Sequence, residues 1–225
     1  MAQPEGHGRH DEMAAEEQRQ FRNLRSLTNH WSRPVSPPAY YWYLTFEHSA
    51  ELQAAAARCQ QAIDFRYYDP TPVRDLHLTL DRIAFRREIT SDQLSAIADA
   101  ATQACRSVPP FTLSIGLLGG VSGAVGFTAH PEPTISRLRG TLRTALSTCL
   151  GTSTEESRFH PHVAIAYANS DGVPAADVIA VIEKLNSSAP IIDVVIDRAT
   201  IALVERRPRS YSWQPVTRIP LAGST

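Results

Sequence analysis

The sequence predicts an α+β fold in which two antiparallel sheets face a central cleft and helices pack on the outside. Three observations predict it. Apolar periodicity switches between two and about 3.6 residues along the chain, in the order strand-helix-strand-helix-strand-strand-helix-strand-helix-strands. A strand-turn-strand pattern over 111–129 implies antiparallel pairing and argues against a doubly wound parallel sheet. Each half of the chain also contributes one strand that carries a histidine on its polar face, so the halves read as two similar lobes.

Residues 1–12 are polar and glycine-containing, and are expected to be disordered. Residues 13–38 read as an N-terminal amphipathic helix over 13–29, with Phe21, Leu24 and Leu27 on its apolar stripe, followed by a proline-broken linker. The two-lobed domain is assigned to 39–222. It opens on an aromatic strand over 39–46 and an alanine-rich helix, capped by Ser49, that runs to about Ile63. Residues 66–72 read as a loop into the first histidine strand, which ends near Phe85. Thr90 or Ser91 caps a helix with Leu94, Ile97 and Ala101 in register, which stops before Pro109 and Pro110. The hairpin strands, 111–118 and 124–129, flank a glycine-rich turn over 119–123. That turn lacks the Gly-Lys-Ser/Thr ending of a nucleotide-binding P-loop. A helix over 133–150, a polar loop over 151–158, the second histidine strand and a helix from Pro174 to about Leu185 follow. Strands over 191–196, 199–204 and 211–219 close the chain.

The chemistry is concentrated in the two histidine strands. In the first, Leu76, Leu78 and Leu80 alternate with His77, Thr79 and Asp81, so the leucines share one face and His77 and Thr79 the other. In the second, Val163, Ile165 and Tyr167 are placed on one face and His162, Ala164 and Ala166 on the opposite one. This assigns Tyr167 to the core. If both polar faces border the cleft, two imidazoles flank a single bond. In-line displacement at phosphorus uses such a pair: one ring takes a proton from the attacking oxygen and the other gives one to the leaving oxygen. An unperturbed pKa of about 6.5 makes either state of histidine accessible near neutral pH. A hydroxyl two residues after each histidine projects from the same face and can hold a phosphate oxygen; Thr79 can do this and Ala164 cannot. His160 shares the face of His162 and is a candidate substrate contact. Asp75 and Asp81 are candidates for orienting an imidazole. Tyr43, Phe127, Tyr167 and Trp213 are able to stack on a base, although strand aromatics ordinarily pack in cores. A zinc site from His77, His160 and His162 is the weaker reading, because no carboxylate companion is apparent.

His77-Leu78-Thr79-Leu80 resembles the His-x-Thr/Ser-x motif of the two-histidine phosphoesterases, the superfamily of 2′-5′ RNA ligase-like proteins and cyclic phosphodiesterases. Phe159-x-Pro161-His162-Val163-x-Ile165-Ala166 is similar to that superfamily's second motif, and the likeness runs from about Tyr40 to Leu221 in motif order and spacing. The resemblance implies the bilobal two-histidine phosphoesterase fold and metal-independent catalysis by His77 and His162, with Thr79 on a phosphate oxygen. The implied substrate is a 2′,3′-cyclic phosphate or 2′-5′ phosphodiester on an RNA end or small nucleotide, with RNA ligation as the reverse reaction. It also implies that Arg206, Arg209 and Tyr211, in the turn before the final strand, close the pocket. Ala164 departs from the pattern, which has Thr or Ser there. That departure motivates an alternative reading, a weakened module that binds a nucleotide or RNA end without turning it over.

Bulk composition narrows the class. With 43% hydrophobic and 20% charged residues the chain reads as an ordinary globular protein, and a net charge of −1 supplies no global field for a long duplex. All but Lys184 of the 22 basic residues are arginine, which suits bidentate phosphate contacts. Cys59, Cys105 and Cys149 are widely spaced and suggest neither a zinc knuckle nor a disulfide framework. No stretch has the length of a membrane span or the form of a signal peptide. The expectation is a cytoplasmic monomer without cofactor, metal or membrane partner, acting on a nucleotide or short RNA.

Overall fold

The computed structural model describes residues 19, 21–63, 65–151 and 159–223. Nine strands and four α-helices are defined among them. The strands are β1 (Ala39–Thr45), β2 (Tyr68–Pro70), β3 (His77–Phe85), β4 (Phe111–Val121), β5 (Ala124–His130), β6 (His162–Ala168), β7 (Ile192–Ile196), β8 (Arg198–Arg207) and β9 (Ser210–Pro220). The helices are α1 (Ala50–Ala62), α2 (Ser91–Cys105), α3 (Glu132–Leu150) and α4 (Ala176–Asn186). The α+β class and the antiparallel pairing are as expected. The strand order is β7-β4-β5-β6-β3-β1-β8-β9, with β2 paired to β6, so the two four-stranded halves are joined in one sheet. The join is narrow: β3 and β6 pair through Leu78 and Val163. The two histidine strands therefore form the seam between the lobes.

Helices cover one face of this sheet. Leu52, Ala55, Ala56 and Cys59 of α1, Ile97 and Ala101 of α2, Leu138 and Leu142 of α3, and Val178 and Ile182 of α4 enter one continuous core. The same core contains Trp42, Leu44, Leu78, Leu80, Val163 and Ile165 from the strands and Leu76 immediately before β3. The leucines alternating with His77 and Thr79 are thus all inside, the outcome a period-two pattern dictates. The opposite face carries a smaller cluster of Tyr43, Ala202 and Val204 with Tyr41, Tyr211 and Trp213 against it.

Local chemistry explains most boundaries. Thr90 begins α2 with a capping box: its side chain accepts from Gln93 N, and the Gln93 side chain accepts from Thr90 N. Gly151, in the left-handed region at φ 65°, ends α3. Ser49 stands at the start of α1 as expected but makes no side-chain capping bond. Three readings are corrected. The segment over 66–72 contains β2, three residues that pair with β6. β4 runs on to Val121, so the turn is confined to Ser122 and Gly123.

The third correction concerns the N-terminal segment, where helix gives way to turn at Asn23 and does not continue to Asn29. Ser26 instead bridges Pro174, and Leu27 exchanges backbone bonds with Val173 (2.8 Å) and Gly172 (3.0 Å). The predicted tail over 1–12, residues 13–18 of the predicted helix and most of the loop over 151–158 lie outside the described residues. No helix among the described residues is long and apolar enough to cross a membrane.

Candidate active site

The seam fixes the relation of the two motifs. Leu78 stands opposite Val163 on an antiparallel neighbour, so continuing that register places Thr79 beside His162 and His77 beside Ala164. Each histidine thus faces the hydroxyl position of the other motif, an approximate two-fold arrangement. The rings are also oriented alike. Nδ1 of His77 bonds the carbonyl oxygen of Asp75 at 2.8 Å, and Nδ1 of His162 bonds that of His160 at 2.8 Å. A carbonyl only accepts, so Nδ1 carries the hydrogen, and Nε2 of each ring is left for proton transfer.

His77 is half-buried and firmly packed. Its ring stacks on Tyr43 with centroids 4.0 Å apart and planes at 11°. Trp213 meets it edge-on at 6.2 Å and donates its own Nε1–H to the same Asp75 carbonyl at 2.9 Å. Burial pushes the His77 pKa down to about 4; the nearby His162 imidazole acts in the same direction, and the bond to Asp75 opposes both. His77 is therefore neutral at physiological pH. His162 is exposed, on the wall of a cleft of about 570 Å³ that Tyr41, Thr79, Gly126, Thr128, Arg139 and His160 also line. His77 lines a separate cavity of only about 10 Å³ together with Trp31, Thr71, Tyr167, Tyr211 and Trp213. That volume admits about one water-sized atom.

The sequence profile of the 2′-5′ RNA ligase superfamily matches residues 45–208, most of the chain. The chain belongs to this superfamily. Membership in the 2′-5′ RNA ligase superfamily supports a phosphoesterase-type function. The fold is similar to that of TT0787 from Thermus thermophilus, with TM-score 0.61 and 18% identity over 82% of this chain and 98% of that one. Escherichia coli LigT complexed with 3′-AMP gives 0.59 and 17% over 83% and 99%. The same protein complexed with ATP gives 0.60 and 17% over 83% and 99%. At these identities the likeness establishes the fold. No curated protein sequence matches the chain significantly.

Set beside the superfamily's motifs, His77, Thr79 and His162 are brought together at the seam, and His160 joins Thr79 and His162 on the cleft wall. Among the described residues no three histidine, cysteine or acidic side chains are grouped to hold a metal. Tyr211 and Arg209 border the small cavity beside His77. The hydroxyl of Tyr211 is hydrogen-bonded to His30 Nε2 at 2.9 Å. Arg209 forks onto Asp69, its Nε 3.0 Å from Oδ2. Arg206 lies outside both cavities; its Nη1 donates to Pro34 O at 2.8 Å and its guanidinium sits over the Trp31 ring. Neither carboxylate candidate orients an imidazole. Asp75 acts through its backbone carbonyl, and the Asp81 carboxylate is engaged by Arg139 at 3.1 Å and Arg143 at 2.9 Å.

Tyr167 requires a correction, because it faces the site and not the core. A β-bulge is responsible. Gly126 pairs with Ala164 and Val125 with Ala166, which leaves Ile165 as an extra residue in β6. Its carbonyl, lost to the β5 ladder, accepts from Thr71 N at 2.8 Å and from the Gln60 side-chain amide at 2.8 Å. Alternation changes phase there, so Ala166 and Ala168 enter the core and Tyr167 turns toward His77. Sequence reading also misses His30 and Trp31. Trp31 donates Nε1–H to Asp69 at 2.8 Å, and the His30 ring lies 4.3 Å from that of Tyr167. A tryptophan within a proline-broken stretch was the available signal.

Proposed function

We propose that the chain is a metal-independent phosphoesterase acting on a 2′,3′-cyclic phosphate or 2′-5′ phosphodiester, at an RNA end or on a small nucleotide. The observation that carries this reading is the matched pair of Nδ1-to-carbonyl bonds at the seam. It leaves two Nε2 atoms on adjacent strands for the two proton transfers the reaction needs. Neutral His77 is the base. As a water oxygen bonds to phosphorus, its proton passes to His77 Nε2. The bond from phosphorus to the leaving ribose oxygen breaks, and that oxygen takes the proton from His162 Nε2. Thr79, beside His162, donates to a non-bridging oxygen. RNA ligation uses the same two transfers with a ribose hydroxyl in place of water. The hydroxyl oxygen bonds to phosphorus of the cyclic phosphate as its proton passes to one imidazole, and the released ribose oxygen takes a proton from the other. With a net charge of −1 the chain offers no extended attraction for a long duplex, so the partner is a nucleotide or short RNA.

The test is turnover of 2′,3′-cyclic nucleotides and short 2′-5′-linked oligonucleotides with EDTA present. His77→Ala and His162→Ala should each lower kcat by roughly 1000-fold while circular dichroism stays unchanged. Ordinary turnover in either variant would overturn the assignment. Ala164 favours a second reading, a nucleotide-binding module; tight nucleotide binding with no turnover at any pH would select it.

A further inference from the structure

We propose that Tyr167 supplies the phosphate-oxygen donor that Ala164 lacks, its phenol standing on the His77 side of the site as the Thr79 hydroxyl stands on the His162 side. The inference rests on the phosphoesterase reading above. In the two-fold arrangement of the motifs, the hydroxyl missing at Ala164 would lie beside His77. The bulge at Ile165 brings the next site-facing side chain of β6 to position 167. Tyr167, His77 and Trp213 wall one cavity of about 10 Å³, the size of a single oxygen atom and far smaller than a phosphate. A phosphate held between the two histidines can place one non-bridging oxygen there.

The phenol is held ready. The Tyr167 ring packs 4.3 Å from His30, 5.3 Å from Trp31 and 5.5 Å from Tyr211. Burial, and secondarily the Tyr211 phenol, raise its pKa well above the ordinary tyrosine value, so it stays protonated and is a hydrogen-bond donor. Preorganised donors of this kind lower barriers because they need no rearrangement when charge develops. The inserted residue in β6 and the loss of threonine at 164 are then complementary changes.

Tyr167→Phe keeps the packed ring and removes only the hydroxyl. Its expected effect on cyclic-nucleotide hydrolysis is a fall in kcat of roughly 100-fold, with KM held within about threefold. Ala164→Thr introduced into Tyr167→Phe should recover about tenfold of that loss. A kcat within twofold of wild type for Tyr167→Phe would overturn the proposal, and so would a fall that Ala164→Thr does not recover. If the wild-type chain turns over none of the substrates, the phosphoesterase reading fails separately. The donor is then read from titration with 3′-AMP, which Tyr167→Phe should weaken about tenfold; equal affinity would overturn it.

Discussion

Two residues of the same type, on adjacent strands and each bonded through Nδ1 to the carbonyl two residues before it, are set apart by what surrounds them. His77 lies between Tyr43 and Trp213, and burial holds it neutral down to about pH 4; His162 is exposed on the cleft wall. A base must be deprotonated in the free enzyme, so the acid limb of kcat/KM should fall near pH 4, well below the 6.5 of an unperturbed histidine. Trp213→Ala opens the ring to water and removes the second donor to the Asp75 carbonyl, which should move that limb up toward 6.5. Profiles of kcat/KM between pH 3.5 and 9 for the two proteins check this. A wild-type limb already at 6.5 would remove the role of base from His77. Both histidines and Thr79 were legible in the sequence because period-two alternation isolates them from the leucines. The orienting groups were not legible: a backbone carbonyl leaves no mark on residue identity, which is why the Asp75 carboxylate looked like the better candidate.

At the scale of elements, the site depends on how closely β5 and β6 approach at the bulge. A Cβ on Gly126 would lie 2.6 Å from Val163 O and 3.0 Å from Ala164 Cα, and both contacts are with backbone. Gly126→Ala must therefore push β5 away from β6 immediately beside His162. The expected result is a destabilisation of about 1–3 kcal/mol, with kcat lowered more than ten-fold because the imidazole moves with its strand. Denaturant melts and initial rates on the same preparation measure both effects, and a variant with unchanged stability and rate would contradict the close approach. Helices α1 to α4 and most strands were readable because each buries a continuous apolar stripe or alternating face. The bulge was not readable. Ile165 satisfies the alternation as well as a regular strand would, and only the partners of its carbonyl, Thr71 and Gln60, reveal that the phase has changed.

Across the whole molecule, the segment before β1 ties the lobes together over the site. Thr28 N donates to Ser122 O at 2.8 Å in the β4–β5 turn, Trp31 to Asp69 in β2, and Arg206 of β8 to Pro34 O. His30 reaches Tyr211 in β9. Sequence reading treated this stretch as helix and linker because its contacts are long-range and single, with no period to detect. Its docking makes stability depend on pH. Burial, then the charges of Arg206 and Arg33, lower His30 to about 4, and burial lowers His77 to about 4. In the unfolded chain both titrate near 6.5. Between pH 6.5 and 4 the unfolded state binds more protons than the folded one, so stability is full above 6.5 and declines as pH falls toward 4. The melting temperature should follow that window. His30→Gln removes one of the two titrations while keeping a polar group toward Tyr211, so its decline over the same window should be about half as steep. Melts at pH 7, 5.5 and 4.5 for wild type and variant decide the matter. Parallel slopes would mean that His30 takes up its proton in the folded chain, and that the segment is not docked over Tyr167 and Tyr211 as the structure describes.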